Sequence, residues 1–252
     1  MPSRAQRITS ILAAAAAVIG CSGRTRRTPD DTLVMLMEAP ATTTDPRNVV
    51  SNYDTKLAHL VTSGLTTIDN ATAEPELLLA EKIARVDDVT YDATLRPGLL
   101  FSDGNPVTAA DVAWTFESTI HGSAAQKSQL ADRFVSIEAL DARTVRFHLQ
   151  DPLATLMSDL DFGIVERAAA DKDGHFKGGI AIGCGPYVLD SLDDTGARFH
   201  ANPRWPFTAP AVGKLEIKVV RDQSARILML VGGSADVASL GTMAQADYDA
   251  LP

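Results

Sequence analysis

The residue types that bind metals are present in this sequence, but their spacing does not form a metal site. A metal pair on a helix needs two histidines one turn apart, or histidines near a Cys-x-x-Cys motif. Neither arrangement occurs among the five histidines, which stand at positions 59, 121, 148, 175 and 200. Asp171 and Asp173 before Gly174 resemble the start of a calcium loop, but the further ligands and the terminal glutamate are missing. We therefore predict no metal site and no cofactor.

The motifs that position a catalytic nucleophile or a nucleotide are missing as well. Gly232-Gly233-Ser234 lacks the closing glycine of the G-x-S-x-G elbow. Neither G-x-x-x-x-G-K-[ST] nor G-x-G-x-x-G occurs. The side chains of adjacent acids such as Asp87 and Asp88 diverge, so they do not form a catalytic dyad. We predict no catalytic residue and expect a protein that is not an enzyme. An exported hydrolase is the weaker alternative, because no nucleophile and base are visible.

The composition is typical of a globular protein with an acidic surface. The 252 residues are 45% hydrophobic and 22% charged, and the formal net charge is −9. A nucleic-acid partner would require a surplus of lysine and arginine, so we expect none. Because there are only two cysteines, disulfides do not organise the fold. We expect Cys184 to be a small, buried, apolar residue.

The first residues have the pattern of a secretion signal. Arg4 and Arg7 precede an apolar run at residues 11–19, which is too short to span a bilayer. The next segment, Val18-Ile19-Gly20-Cys21, resembles the bacterial lipobox, in which the cysteine is lipidated. We therefore predict a signal peptide at 1–20, lipid attachment at Cys21 and a flexible lipidated tether at 21–31. The protein would be exported and anchored in the membrane, facing the periplasm or the cell exterior. The alternatives are an ordinary signal peptide with a chance cysteine, and a buried helix.

Alternating strands and amphipathic helices follow in mixed order. Thr108 and Asp111 form an N-cap for a helix at residues 109–120, and Leu57, Leu60 and Val61 recur at helical spacing from residue 54. The other predicted helices are 153–160 and 224–231. Strands are predicted at 33–37, 83–89, 91–95, 134–140, 144–149, 187–191, 197–201, 215–220 and 236–239. The pattern indicates a mixed α/β (α+β) fold with strands in hairpins and packed helices.

Residues 91–120, YDATLRPGLLFSDGNPVTAADVAWTFESTI, resemble the signature of the bacterial extracellular solute-binding proteins of the oligopeptide/dipeptide type, family 5. Eleven positions match at fixed spacing: Leu95, Arg96, Gly98, Phe101, Asp103, Gly104, Pro106, Thr108, Ala109, Asp111 and Val112. Further similar segments are Asp45-Pro46, Ser63-Gly64-Leu65, 183–187 (GCGPY), 202–205 (NPRW) and 232–237 (GGSADV). The resemblance covers nearly all of residues 32–250.

The resemblance implies a fold, a function and partners. The fold would be the first lobe of a type II periplasmic binding protein, formed by residues 32–252 with roughly 66–180 as an inserted subdomain. The function would be that of the substrate-binding lipoprotein of an ABC importer, which captures peptides or similar small solutes for a membrane permease. Nickel chelates, haem and oligosaccharides are other ligands of this family, although no histidine cluster supports a metal.

One departure from the family concerns length. Family members run to about twice this length, with two lobes that close on a ligand about a hinge. We therefore expect the second lobe to be missing from this chain, either because the sequence is a fragment or truncated product or because the second lobe is encoded elsewhere. The alternative interpretation is a truncated or relic member that acts as a partner-binding lipoprotein without transport.

The resemblance also places two candidate ligand-binding segments in the first lobe. One is Val50, Ser51 and Asn52, and the other is Ser239, Leu240 and Gly241. In the family such segments offer backbone N–H and C=O groups to an extended peptide, which explains tolerance of many side chains. The alternative for each segment is a plain surface loop.

Overall fold

Eleven strands form three sheets in residues 26–239, the part of the chain that the computed structural model describes. The strands are β1 (Thr32–Met37), β2 (Thr66–Ile68), β3 (Pro75–Leu77), β4 (Ala80–Arg85), β5 (Thr90–Leu95), β6 (Phe134–Ala139), β7 (Thr144–Leu149), β8 (Tyr187–Asp193), β9 (Gly196–Ala201), β10 (Lys214–Val219) and β11 (Val237–Ala238). The α-helices are α1 (Asn52–Val61), α2 (Ala109–His121), α3 (Lys127–Leu130), α4 (Leu156–Asp159) and α5 (Gln223–Val231). The predicted mixed α/β class is confirmed.

The five-stranded sheet has the order β11-β1-β10-β9-β8 and is covered on both faces. β1 is parallel to β10 and β11, whereas β8, β9 and β10 pair antiparallel. Successive side chains of a strand point to opposite faces. Accordingly, Val34 and Leu36 pack with residues of α5, whereas Met37 packs with Leu57 and Val61 of α1. These contacts hold α1 against this sheet.

The four-stranded sheet has the order β4-β5-β7-β6 and is antiparallel throughout. α2 packs on it through its apolar stripe, and Phe116 is the central side chain. The ring of Phe116 lies 5.3 Å from that of Phe147 and 5.5 Å from that of Phe134, both in edge-to-face arrangements. The N-cap of α2 is a capping box made by Thr108 and Asp111, as predicted.

The predicted first strand of this sheet, 83–89, is wrong at both ends. β4 begins at Ala80 and ends at Arg85, and the following residues form the turn into β5. The Asp87 carboxylate accepts a hydrogen bond from the Val89 amide at 2.9 Å, which closes the turn. Three other differences are smaller: the β2–β3 hairpin was not predicted, the helix at 153–160 shortens to Leu156–Asp159, and the strand at 236–239 shortens to Val237–Ala238.

Three glycines allow backbone segments to cross closely where the two sheets meet. Gly64 lies beyond α1, which ends at Val61. A β-carbon at Gly64 would lie 2.6 Å from backbone atoms of Asp161. Gly183 and Gly185 approach the backbone at the end of α1 in the same way. Only glycine leaves room for these crossings.

Cys184 lies between the two latter glycines and is buried, as expected. Burial raises the pKa of its thiol to about 12. A thiol with so high a pKa is a poor nucleophile, since the thiolate is the reactive form. Cys184 therefore serves packing.

Residues 26–31, the described part of the predicted tether, are held against the fold. The Arg26 guanidinium pairs with Asp236 at 2.9 Å, and the Thr28 hydroxyl donates to the same carboxylate at 3.0 Å. The Arg27 amide donates to the Gly233 carbonyl oxygen at 2.8 Å. Residues 26–31 thus contact the fold, and the lipidated tether at 21–31 stays a prediction. The predicted signal peptide, Cys21 and residues 21–25 lie outside the described residues.

No helix within residues 26–239 is both long enough and apolar enough to span a membrane.

The predicted boundaries of the inserted subdomain, 66–180, stay a prediction. One hydrophobic core joins α2 and the four-stranded sheet and extends from Leu65 to Cys184.

Candidate functional site

A groove of about 390 Å³ runs along one side of α1. Its lining comes from Pro46 and residues 49–52, one side of α1, Gln126 with Gln129, and residues 161–163. A volume of this size is within the range of small-molecule sites. The predicted residues Val50, Ser51 and Asn52 all line it. Whether they contact a ligand stays a prediction.

The segment 45–52, here called the Asp45 strip, forms one border of the groove and leads into α1. Val50 is 76% exposed. Ser51 is the N-cap of α1, and its hydroxyl oxygen accepts a hydrogen bond from the Asp54 amide at 3.1 Å. In return, the Ser51 amide donates to the Asp54 carboxylate at 3.1 Å. The side chain of Ser51 is thus used by the helix cap, a role that the resemblance did not indicate.

Asp54 connects the Asp45 strip with the segment that follows β1. Its carboxylate accepts hydrogen bonds from the amides of Thr42 (2.6 Å), Thr43 (3.3 Å) and Val50 (3.3 Å). Burial alone would raise the pKa of this buried carboxyl, but these hydrogen bonds and those from Ser51 lower it below its usual value. Asp54 is therefore a charged acceptor that fixes the border of the groove.

We expect Asp54→Asn to lower the free energy of unfolding by about 2 kcal/mol near neutral pH, because the amide presents N–H groups to backbone donors. The folded-state pKa of Asp54 is depressed, so its stabilising effect is present above the unfolded pKa of about 3.9 and is lost as the pH falls through the folded pKa. Urea unfolding at neutral pH and at about pH 3 measures the difference. Asp132→Asn, at an exposed site, is the control. An Asp54→Asn effect of equal size at both pH values would contradict this role of charge.

A buried ion pair between Asp45 and Arg47 fixes the Asp45 strip on the side that faces the protein interior. Their side chains are 3% and 4% exposed, and two hydrogen bonds of 2.9 and 2.8 Å join them. The Arg47 guanidinium also lies 4.5 Å from the centre of the Trp114 ring and donates to the Ser118 hydroxyl at 3.0 Å. It donates further to the Gly174 carbonyl oxygen at 2.8 Å. Arg47 thus joins the strip to α2 and to the loop at 171–179.

The loop at 171–179 includes a 3-10 turn at Lys177–Gly179 and supplies carbonyl oxygens to Thr44 and to Arg47. One of them, that of Gly179, accepts a hydrogen bond from the Thr44 amide at 3.0 Å. Trp114 lies at the border of the core, where one face contacts Arg47. An arginine two residues after Asp45 carries no sequence signal that distinguishes it from a surface residue.

The acid in the groove lining is Asp161, which was not predicted as a site residue. Its carboxylate is half-buried and accepts no hydrogen bond from any residue within 26–239. Burial raises the pKa of this carboxyl, and the charge of His59 opposes the rise. His59 lines the same groove but is not within ion-pair distance. No local pattern in the sequence marks Asp161, because its place in the groove depends on contacts between distant segments.

Of the second predicted ligand segment, only Ser239 lies within the described residues. The Ser239 amide donates to the Leu36 carbonyl oxygen at 2.9 Å and continues the pairing of β11 with β1. Ser239 does not line the groove. Leu240 and Gly241 lie outside the described residues. Within residues 26–239, no group of three or more His, Cys, Asp or Glu side chains could hold a metal ion.

Comparison with known proteins finds relatives over most of the chain. The D,D-dipeptide-binding periplasmic protein DdpA of Escherichia coli K12, designated probable, is 28% identical over 229 residues, which are 83% of this chain and 43% of DdpA. The glutathione-binding protein GsiB of the same strain is 25% identical over 214 residues, with 82% and 41% covered. The chain therefore spans less than half the length of the curated relatives it matches.

The fold is shared with solved structures of solute-binding proteins. The binding protein MoaA of A. tumefaciens R10, in complex with mannopinic acid, superposes with a TM-score of 0.78 at 23% identity. The match covers 88% of this chain and 47% of MoaA. At this identity the likeness shows the fold alone, which is that of one lobe of a type II periplasmic binding protein.

The family itself is shown by a match over well over half of the chain. Residues 74–251 match the model of the middle region of bacterial extracellular solute-binding proteins, family 5. The match includes the signature at 91–120, the segment 183–187 and the segment 202–205. The chain therefore belongs to the bacterial extracellular solute-binding proteins of family 5.

Proposed function

We propose that this chain is the first lobe of a substrate-binding lipoprotein, which captures peptides or similar small solutes for an ABC permease. The observation that carries the proposal is the groove beside α1, which Val50, Ser51 and Asn52 line in a chain of this family. The relatives DdpA and GsiB are named for binding a D,D-dipeptide and glutathione. Both names support a small peptide as the solute.

The Asp45 strip offers a rigid backbone edge to an extended peptide. The carbonyl oxygen of Val50 accepts no hydrogen bond from any described residue, so it can accept one from a peptide N–H. The preceding carbonyl oxygen, that of Val49, already accepts a hydrogen bond from the Gln126 side-chain amide at 2.6 Å. Since Arg47, Asp54 and Gln126 hold the strip in place, little conformational entropy is lost on binding.

We expect Val50→Glu to weaken binding of trialanine by about tenfold, because a charge and a larger side chain enter the groove border. Val50 is exposed, so the fold tolerates the change. Calorimetric titration of the full chain measures the affinity, and Val135→Glu, exposed on β6, is the control. If the unsubstituted chain binds neither trialanine nor any member of a pooled dipeptide and tripeptide library by native mass spectrometry, peptide capture is wrong. A partner-binding lipoprotein without transport would then be the function to test.

The lipoprotein part of the proposal rests on the lipobox-like sequence at Cys21. We expect cells that express the chain to incorporate labelled palmitate into it and to retain it in the membrane fraction. Cys21→Ser should abolish both, because the thioether to the lipid cannot form. Cys184→Ser is the matched control, since it removes the other cysteine and should leave the label unchanged. Label that persists in Cys21→Ser would contradict the assignment.

A further inference from the structure

We infer that Asp161 gives the groove a binding site for a positively charged group of the solute, such as the α-ammonium group of a peptide. This inference rests on the proposed function and specifies its solute. It concerns a residue of the first lobe that lies well apart in sequence from the Asp45 strip. Three features of the described residues carry it: a fixed backbone, a carboxylate without a donor, and the charge of the groove lining.

The backbone that carries Asp161 is clamped between neighbouring segments. The Thr66 amide donates to the Leu160 carbonyl oxygen at 3.2 Å, and the Ile164 amide donates to the Ser63 carbonyl oxygen at 2.9 Å. Between these two hydrogen bonds, Gly64 lies so close to Asp161 that a β-carbon would be 2.6 Å from its backbone. The position from which the carboxylate extends is therefore set by the fold.

The carboxylate of Asp161 differs from the two other acids of this region. Asp45 is paired with Arg47, and Asp54 accepts several hydrogen bonds from backbone amides. Asp161 is also partly removed from water, yet no residue within 26–239 donates to it. Desolvating an ionised group without a partner costs free energy. Burial raises the pKa of this carboxyl accordingly, and a cation bound beside it would reverse the effect.

The side chains that line the groove favour a cation over an anion. They include neither a lysine nor an arginine, and His59 is the one titratable residue besides Asp161. The nearest arginine of the Asp45 strip, Arg47, is buried and paired. The remaining polar side chains, such as Gln126 and Gln129, are neutral. A single carboxylate thus sets the sign of the local potential, which attracts positive groups and repels negative ones.

The length of the groove fits a short peptide. Residues on one side of α1 line it from Asn52 to His59. Seven residues of helix span roughly 10 Å, which equals about three residues of extended chain. A tripeptide whose backbone pairs with the strip near Val50 could therefore bring its ammonium group to the end of the groove at His59 and Asp161.

The test uses the full chain and two probes that differ at the N-terminus: trialanine amide, with a free ammonium group, and N-acetyl-trialanine amide, whose N-terminus is uncharged. The side-chain carboxyl of Asp161 is followed by ¹³C NMR and assigned from Asp161→Asn. We expect the ammonium probe to move the titration of this carboxyl to lower pH, and the acetylated probe to leave it unchanged. We further expect Asp161→Asn to bind the ammonium probe about tenfold more weakly. Asp132→Asn, exposed and outside the groove, should bind it normally.

The thermal midpoint of Asp161→Asn without ligand should equal or exceed that of the unsubstituted chain near neutral pH. The folded-state pKa of Asp161 is raised, so its ionised form disfavours folding, and a neutral isostere removes that effect. Weaker binding would then not reflect a damaged fold. If both probes bind equally, or Asp161→Asn binds the ammonium probe as tightly as before, the cation site is wrong and solute binding stands. If neither probe binds up to millimolar concentration, the cation site is overturned as well, and the library experiment decides peptide capture separately.

Discussion

Arg47→Met should lower the free energy of unfolding by about 3–5 kcal/mol, which is the usual effect of removing one partner of a buried ion pair. Methionine keeps much of the side-chain volume, so the loss reflects mainly the uncompensated Asp45 carboxylate rather than a cavity. The contact with Trp114 and the hydrogen bond to the Gly174 carbonyl oxygen are lost as well. Urea unfolding monitored by tryptophan fluorescence and by circular dichroism measures the change.

A matched pair on the surface provides the control for this prediction. Arg85 pairs with Asp88 across an exposed turn, and the Arg85 side chain is 56% exposed. Arg85→Met should change the free energy of unfolding by less than about 1 kcal/mol. The double variant Asp45→Asn/Arg47→Met should be more stable than Arg47→Met alone, because it leaves no unpaired charge. An Arg47→Met effect no larger than that of Arg85→Met would show that the buried pair does not stabilise the strip.

Gly185→Ala should cost about 3 kcal/mol of stability, because one methyl group meets backbone that cannot move aside. A β-carbon at this position would lie 2.5 Å from the carbonyl carbon of Val61 and 2.7 Å from both the Leu60 carbonyl oxygen and the Thr62 amide nitrogen. The Gly185 amide also donates to the Val61 carbonyl oxygen at 2.9 Å, so relief of the clash would break this hydrogen bond. Thermal and urea unfolding measure the loss.

Gly213→Ala is the appropriate comparison for that substitution. A β-carbon at Gly213 would meet no atom closer than 3.9 Å, and its neighbour there is the Asp31 carbonyl oxygen. We expect a change within about 0.5 kcal/mol. Because Gly185 packs against the end of α1 that borders the groove, Gly185→Ala should also weaken solute binding. A stable Gly185→Ala protein with unchanged affinity would rule out the close crossing.

The elements that the sequence predicts well are those whose signals are local. The capping box of Thr108 and Asp111 begins α2 where expected, because its hydrogen bonds join residues three positions apart. The hairpins β6–β7 and β8–β9 form where alternating residues surround short polar turns. The turn after β4 lies several residues earlier than predicted. The alternating pattern does not show that β4 ends at Arg85, where the turn closed by Asp87 begins.

The features of the candidate site that sequence reasoning missed depend on long-range contacts. Arg47 is buried only because α2 and the loop at 171–179 close over it. Asp161 lies in the groove only because Gly64 lets two segments cross. Val50, Ser51 and Asn52 came from a family resemblance, not from a physical pattern in the residues. Neither burial of a charge nor a close crossing leaves a periodic trace along the chain.

The salt bridge between Arg26 and Asp236 brings the two ends of the described residues close together. These residues are 210 positions apart, yet their side chains meet at 2.9 Å, and Asp236 also accepts a hydrogen bond from the Val34 amide at 2.8 Å. A linker that starts after β11, at residue 239, and returns to residue 26 therefore has only a short distance to span. A circular permutant opened in the exposed turn between β8 and β9 should keep every sheet pairing except that turn's own. The order in which the strands are synthesised is thus separable from the order in which they pack.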